Sequence, residues 1–200
     1  MKKLLALSTA IFLTPLTALA ISLSDIENNP DEYVLVGKNA KVNLYVDSYS
    51  IASLRYDPPY YAMSSDIYMV MYSINSILKT NLTATYDYNR CFKSLFIDEY
   101  KSHPNSKNSY IIGLTLHDLE EDNGLTSYLG DADIWGMNGN YIYSLTGSEL
   151  STLILVESDS LDTDVTRCPL GSPVYHAANY MFYKGYNEYF GPKFDSQDLY

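Results

Sequence analysis

Cysteine is scarce in this chain: Cys91 and Cys168 are the only two. Two thiols so far apart exclude a disulfide-dense scaffold and a Cys-rich zinc module, since both need several thiols. Basic side chains are also few, thirteen against twenty-four acidic ones, for a net charge of −11. A surface of that sign repels the phosphates of nucleic acid and of anionic lipid, so neither is an expected partner. No apolar run after residue 20 approaches the length that spans a bilayer. The chain has no G-x-S-x-G elbow, P-loop or H-E-x-x-H helix, and His103, His117 and His176 are not at metal-ligand spacing. No catalytic residue, metal ion or cofactor is therefore expected, and the protein is read as a non-enzyme.

The first twenty residues, MKKLLALSTAIFLTPLTALA, combine Lys2 and Lys3, a short apolar run and a small-x-small ending at Ala20. That is the pattern of a cleaved signal peptide. No cysteine stands near the cut, so a lipid anchor is not expected. The remainder, 21–200, is expected to form one domain, with no integral membrane segment, in the periplasm, at the cell surface or outside the cell. Its charge becomes −13 once the two leader lysines are gone. In an oxidising compartment a lone cysteine pair usually forms a bridge, so a Cys91–Cys168 disulfide is expected. The rival is a free catalytic thiol, which would need a histidine partner.

Hydrophobic periodicity outlines the fold. ISLSDIENNPDEY reads as a short helical lead-in. Tyr33–Val36 and the alternating Val42–Asp47 read as a hairpin. After Asp57-Pro58-Pro59, the run Ile67–Tyr72 is apolar or amphipathic on both faces, as a central strand is. NLTATYDYNRCFKSLFIDEY reads as one long strand or two, with Cys91, Lys93, Leu95 and Ile97 on one side. YIIGLTL reads as another strand, and His117–Gly139 gives no clear period. Tyr141–Leu145 and Leu150–Glu157 are further strand candidates. Near the end the period changes to that of a helix: Ser172 is a candidate N-cap and Pro173 a candidate first residue, and Val174, Ala177, Ala178, Met181, Phe182, Gly185 and Tyr189 fall on one face. The alanines and the glycine on that face permit close approach to a flat sheet. The expected class is α+β: an antiparallel sheet of about six strands, with a C-terminal helix packed on one face and tethered by the disulfide.

Two stretches carry a family likeness. VNLYVDSYSI resembles the V-x-x-Y-V-D-x-x-S-I strand and turn of the bacterial surface-adhesin protein E-like family, and SPVYHAANYMFYKGYNEYFG resembles that family's closing helix. The resemblance covers Tyr33 to Phe194 loosely. It implies an antiparallel sheet with a disulfide-tethered C-terminal helix, and a cell-surface adhesin that binds host matrix proteins and plasminogen. A periplasmic housekeeping protein with a partner in the envelope is the alternative, and an uncharacterised hydrolase a remote one. The oligomeric state is left open.

Tyrosine is abundant, at twenty-one residues, and three of them, Tyr56, Tyr60 and Tyr61, flank Pro58-Pro59. Stiff, amphipathic tyrosines in an exposed loop suit protein recognition; on strands they also merely cover a half-buried face. The acidic segment beginning at Asp118 and the pairs Asp131/Asp133 and Asp162/Asp164 are read as solvated turns rather than calcium loops, because the EF-hand register is absent. Trp135 is read as a core anchor.

Overall fold

A computed structural model describes residues 21–38, 41–150 and 168–192. The leader, the Asn39-Ala40 turn, the segment holding most of Leu150–Glu157 and the pair Asp162/Asp164, and the last eight residues lie outside the described residues. Helix α1 (Leu23–Asn28) opens the chain, followed by β1 (Tyr33–Lys38), β2 (Val42–Asp47), β3 (Ala52–Asp57), β4 (Tyr60–Met71) and β5 (Ser76–Asp87). A helical hairpin of α2 (Phe92–Ser102) and α3 (Asn108–Glu121) precedes β6 (Leu125–Gly136) and β7 (Tyr141–Leu145). Residues 147–150 are helical up to the edge of the described segment. Helix α4 (Pro173–Tyr186) is the last element.

The strands form one antiparallel sheet of seven, in the order β1-β2-β4-β5-β6-β7, with β3 also paired to β4. Strand β4 is central, as its two apolar faces imply. Its second half pairs with β2, its first half with β3, and its other edge with β5 along the full length. β2 and β3 thus run in line along the same side of β4, broken by a jog at Asp47–Ile51, the second part of the VNLYVDSYSI motif. The jog is built from its own side chains. Asp47 Oδ1 accepts from the amides of Tyr49 and Ser50, at 2.9 and 3.1 Å. The Ser50 hydroxyl donates to the Asp47 carbonyl and accepts from the Asp66 amide at 2.8 Å. A β4 donor that would otherwise face the gap between two strands is satisfied by one serine.

One face of the sheet carries α4. Met63 and Ile67 of β4, Leu82, Ala84 and Tyr86 of β5, and Leu44 and Val46 of β2 meet Tyr175, Ala177, Ala178, Met181 and Phe182 in the main core. The helix starts as its residues dictate: the Ser172 hydroxyl accepts from the Tyr175 amide and Pro173 occupies the first turn. It ends at Asn187 in the left-handed conformation. Gly185 permits the close approach expected of it, since a Cβ there would stand 2.4 Å from the Met63 methyl. On the opposite face, α1 covers a smaller core of Ile26, Tyr45, Tyr68, Val70, Ile77 and Trp135.

Three expectations need correction. The segment read as strand from Phe92 onward is helical, and Phe92, Phe96 and Tyr100 stack along α2 at four-residue spacing. YIIGLTL lies in α3, where Ile111, Thr115 and Leu119 form the buried line and the Thr115 hydroxyl donates back to the Ile111 carbonyl. The disulfide is not formed: Cys91 and Cys168 are both buried free thiols and are not near one another. Cys91 is the N-cap of α2, its sulfur engaged with the Ser94 amide and hydroxyl. The Cys168 thiol meets the Ser127 side chain, and burial raises its pKa to about 11.

Hydrogen bonds between segments attach the helix instead. The Tyr86 hydroxyl donates to the Ala178 carbonyl at 2.9 Å. The Asn123 amide group donates to the Cys168 carbonyl at 2.8 Å. The Phe92 amide donates to the Phe190 carbonyl at 3.0 Å, and the Gly191 amide to Asn179 Oδ1 at 2.6 Å. Each tie is buried or shielded by the aromatic core, where a lost partner costs about 1–3 kcal/mol.

Candidate interaction site

The tyrosine segment is a β-hairpin rather than a loop. Tyr56 and Tyr61 form a cross-strand pair, as do Asp57 and Tyr60, and the turn between them contains a cis Pro58–Pro59 bond. Strand alternation therefore divides the three tyrosines between two faces. Tyr56 and Tyr61 point to the α4 side, where their rings meet edge to face at 5.6 Å. Tyr61 also contacts Phe182 and Tyr186, at 5.3 and 5.2 Å between centroids, and Tyr88 at 6.0 Å. It is the inner member of an aromatic cluster continuous with the core. Tyr88 in turn donates to Glu188 at 2.5 Å, joining the end of β5 to the chain beyond α4.

Tyr56 and Tyr60 have a different environment. Tyr56 leans on Tyr186 yet is 69% exposed, and Tyr60 on the other face is 46% exposed. The Arg55 guanidinium lies over the Tyr60 ring, 5.5 Å from its centroid, and is held there by Asp57 at 2.7 Å. Every residue of β3 is exposed, and Leu54 sits at a bulge between Ser53 and Arg55. Such a bulge interrupts regular strand addition at an edge. The edge thus displays Leu54, Arg55, Tyr56 and Tyr60 while Tyr61 fastens it from below.

Beside the hairpin, the face opposite α4 is open. A cleft of about 580 Å³ lies between Arg55 and Tyr60 on one side and Arg90, Glu121 and Asp122 on the other. Arg90 builds the second wall. Its guanidinium donates to the carbonyl of Asp122, the C-cap residue of α3, at 2.8 and 3.1 Å and pairs with that residue's carboxylate, which places a cation at the negative end of the helix. Gly124 follows at φ +65°, and a Cβ there would stand 2.5 Å from the Arg90 Cβ.

The remaining sequence candidates are dispersed. His103 accompanies Glu99 and Tyr110 at the end of α2, His117 stands beside Glu121 on α3, and His176 is half-buried on α4, where desolvation lowers its pKa. Asp118, Glu120 and Glu121 belong to the last turn of α3 rather than to a loop. Asp131 and Asp133 are on β6, where they accept from the Gly147 amide and the Ser144 hydroxyl. Trp135 is in the smaller core. Among the described residues no cluster of His, Cys, Asp and Glu suits a metal ion, and no helix is long and apolar enough to cross a membrane. The cleft was not foreseen: Arg55 and Arg90 are thirty-five positions apart, and the strand β6 that joins their walls had no readable period.

No family model, no curated protein and no solved structure matches this chain.

Proposed function

We propose that the protein is an exported, non-enzymatic binding module of the cell envelope that recognises a protein partner along the β3 edge. The observation that carries this reading is the division of labour in one hairpin: Tyr61 anchored in the aromatic core, Tyr56 and Tyr60 held out beside Leu54 and Arg55. Tyrosine and arginine supply large contact area at low side-chain entropy and dominate binding hot spots. A partner lying along the edge meets both tyrosines, one on each face.

The likeness of VNLYVDSYSI and the closing helix to the surface-adhesin protein E-like family makes a host matrix protein or plasminogen the first partner to test. The net charge of −13 after loss of the leader lysines favours a partner with a basic contact surface. Immobilised vitronectin, laminin and plasminogen, screened by surface plasmon resonance against the processed protein, test the adhesin form of the proposal. Saturable binding to one of them supports it. Flat responses to all three, with crosslinking to an envelope protein in the periplasmic fraction, would move the same edge to the alternative role inside the envelope.

A further inference from the structure

We infer that the open face of the sheet binds a neutral oligosaccharide in the Arg55–Arg90 cleft. The outward residues of the three middle strands line up in two rungs: Ala62, Thr85 and Thr126, then Ser64, Thr83 and Tyr128. A solvent-facing sheet carries polar side chains, and strands favour Thr and Tyr over Glu and Lys. These six positions carry no Glu or Lys. Small hydroxyl side chains leave the floor low, while the hairpin and the end of α3 rise on either side.

The hydrogen-bonding inventory matches a polyol. Thr85 Oγ1 and Thr126 Oγ1 are 2.5 Å apart, so one donates to the other. The pair then has one hydroxyl hydrogen left to offer and lone pairs to accept, the two-way capacity that a sugar hydroxyl needs. The cations of the walls are neutralised in place, Arg55 by Asp57 and Arg90 by Asp122. Asp87 and Glu121 also line the cleft, so it presents planar polar groups and carboxylates and offers no field for an anion. Tyr128, 66% exposed, extends the floor as an aromatic surface on which the C–H face of a sugar can rest. Its hydroxyl lies close to Gly147, 3.3 Å from where a Cβ would be, so a larger residue there would crowd it.

This site shares Arg55 and Tyr60 with the β3 edge, but the variant below alters only the cleft floor and leaves every edge residue in place. The test is a two-dimensional NMR titration of the ¹⁵N-labelled protein with chitotetraose and, separately, maltotetraose. Saturable shifts at Ala62, Thr85 and Thr126 with at least one tetrasaccharide are expected. The Thr85→Val/Thr126→Val variant keeps shape and β-propensity, and its own spectrum verifies the fold. It should bind at least about tenfold more weakly, the consequence of losing two hydrogen bonds. No shift with either sugar, or equal binding by the double variant, overturns the inference. A lysine decapeptide that shifts the same amides when the sugars do not would also overturn it, by showing that Asp87 and Glu121 attract a basic chain instead.

Discussion

Asp47 shows how one side chain can serve geometry at an electrostatic cost. Desolvation, and to a smaller extent the neighbouring Glu32 and Asp66, raise its pKa despite the two amides it accepts. A raised carboxyl favours the folded state below its unfolded pKa, and that contribution disappears as pH rises through the folded value. Asp47→Asn keeps an oxygen acceptor without the charge, so it should melt at or above wild type at pH 7, with the gap closing at about pH 3. Thermal melts across pH verify this; an Asn variant less stable at neutral pH would show that the charge itself holds the turn. Ser50→Ala should cost about 1–2 kcal/mol, because the Asp66 amide loses its acceptor at the jog. His176 has the opposite sign. Its pKa is lowered by burial, so stability present above the unfolded value is lost as pH falls below about 6.5.

At the scale of elements, the α2–α3 hairpin depends on Arg90. Its bonds to the carbonyls of Asp118 and Asp122 fix the end of α3 over the β5–β6 junction. Arg90→Ala should lower stability by about 1–3 kcal/mol and raise hydrogen exchange in α3 more than in β4 and β5. Uniform exchange across all elements would mean the hairpin is not a separate unit. Gly124→Ala should be worse, since it combines a left-handed backbone with a clash against the same arginine.

The same hairpin explains which elements were legible in the sequence. β2, β4 and α4 announced themselves because each buries a face with an unbroken period. In α2, Phe92, Phe96 and Tyr100 lie four apart and so satisfy a two-residue alternation as well; only half-buried, they left no strong helical signal. In α3 the buried line includes Thr115, whose hydroxyl is satisfied within its own helix and not counted by any apolar pattern. β6 was hidden by its bulge near Gly130, which shifts the register against β5. Of the candidate site, the tyrosine cluster was visible as composition, but its division between two faces required the strand register. The cleft needed the strand order.

For the molecule as a whole, attachment of the C-terminal helix is the main departure from expectation. A covalent tether was expected; packing holds the helix in its place, with three hydrogen bonds from Tyr86, Asn123 and Phe92 to the helix and its flanking residues. The melting temperature should therefore be the same with and without reductant, and Cys168→Ala should cost no more than a modest cavity, about 1 kcal/mol. A large drop on adding dithiothreitol would contradict this attachment. Phe182→Ala, by contrast, removes a ring shared by Tyr61, Tyr86, Tyr88, Tyr186 and Phe190 and should cost about 3–5 kcal/mol.

The core and the proposed recognition edge meet at one hairpin, and the proposal rests on their separation there. Its most direct test is the binding isotherm of the Tyr56→Ala/Tyr60→Ala variant on whichever of vitronectin, laminin or plasminogen the wild type binds, taken beside a thermal melt. Affinity should fall by about 10-fold or more, as for a pair of tyrosine hot spots, while the melt shifts by no more than a few degrees. Unchanged affinity, or a loss of binding that only follows a loss of fold, would contradict it.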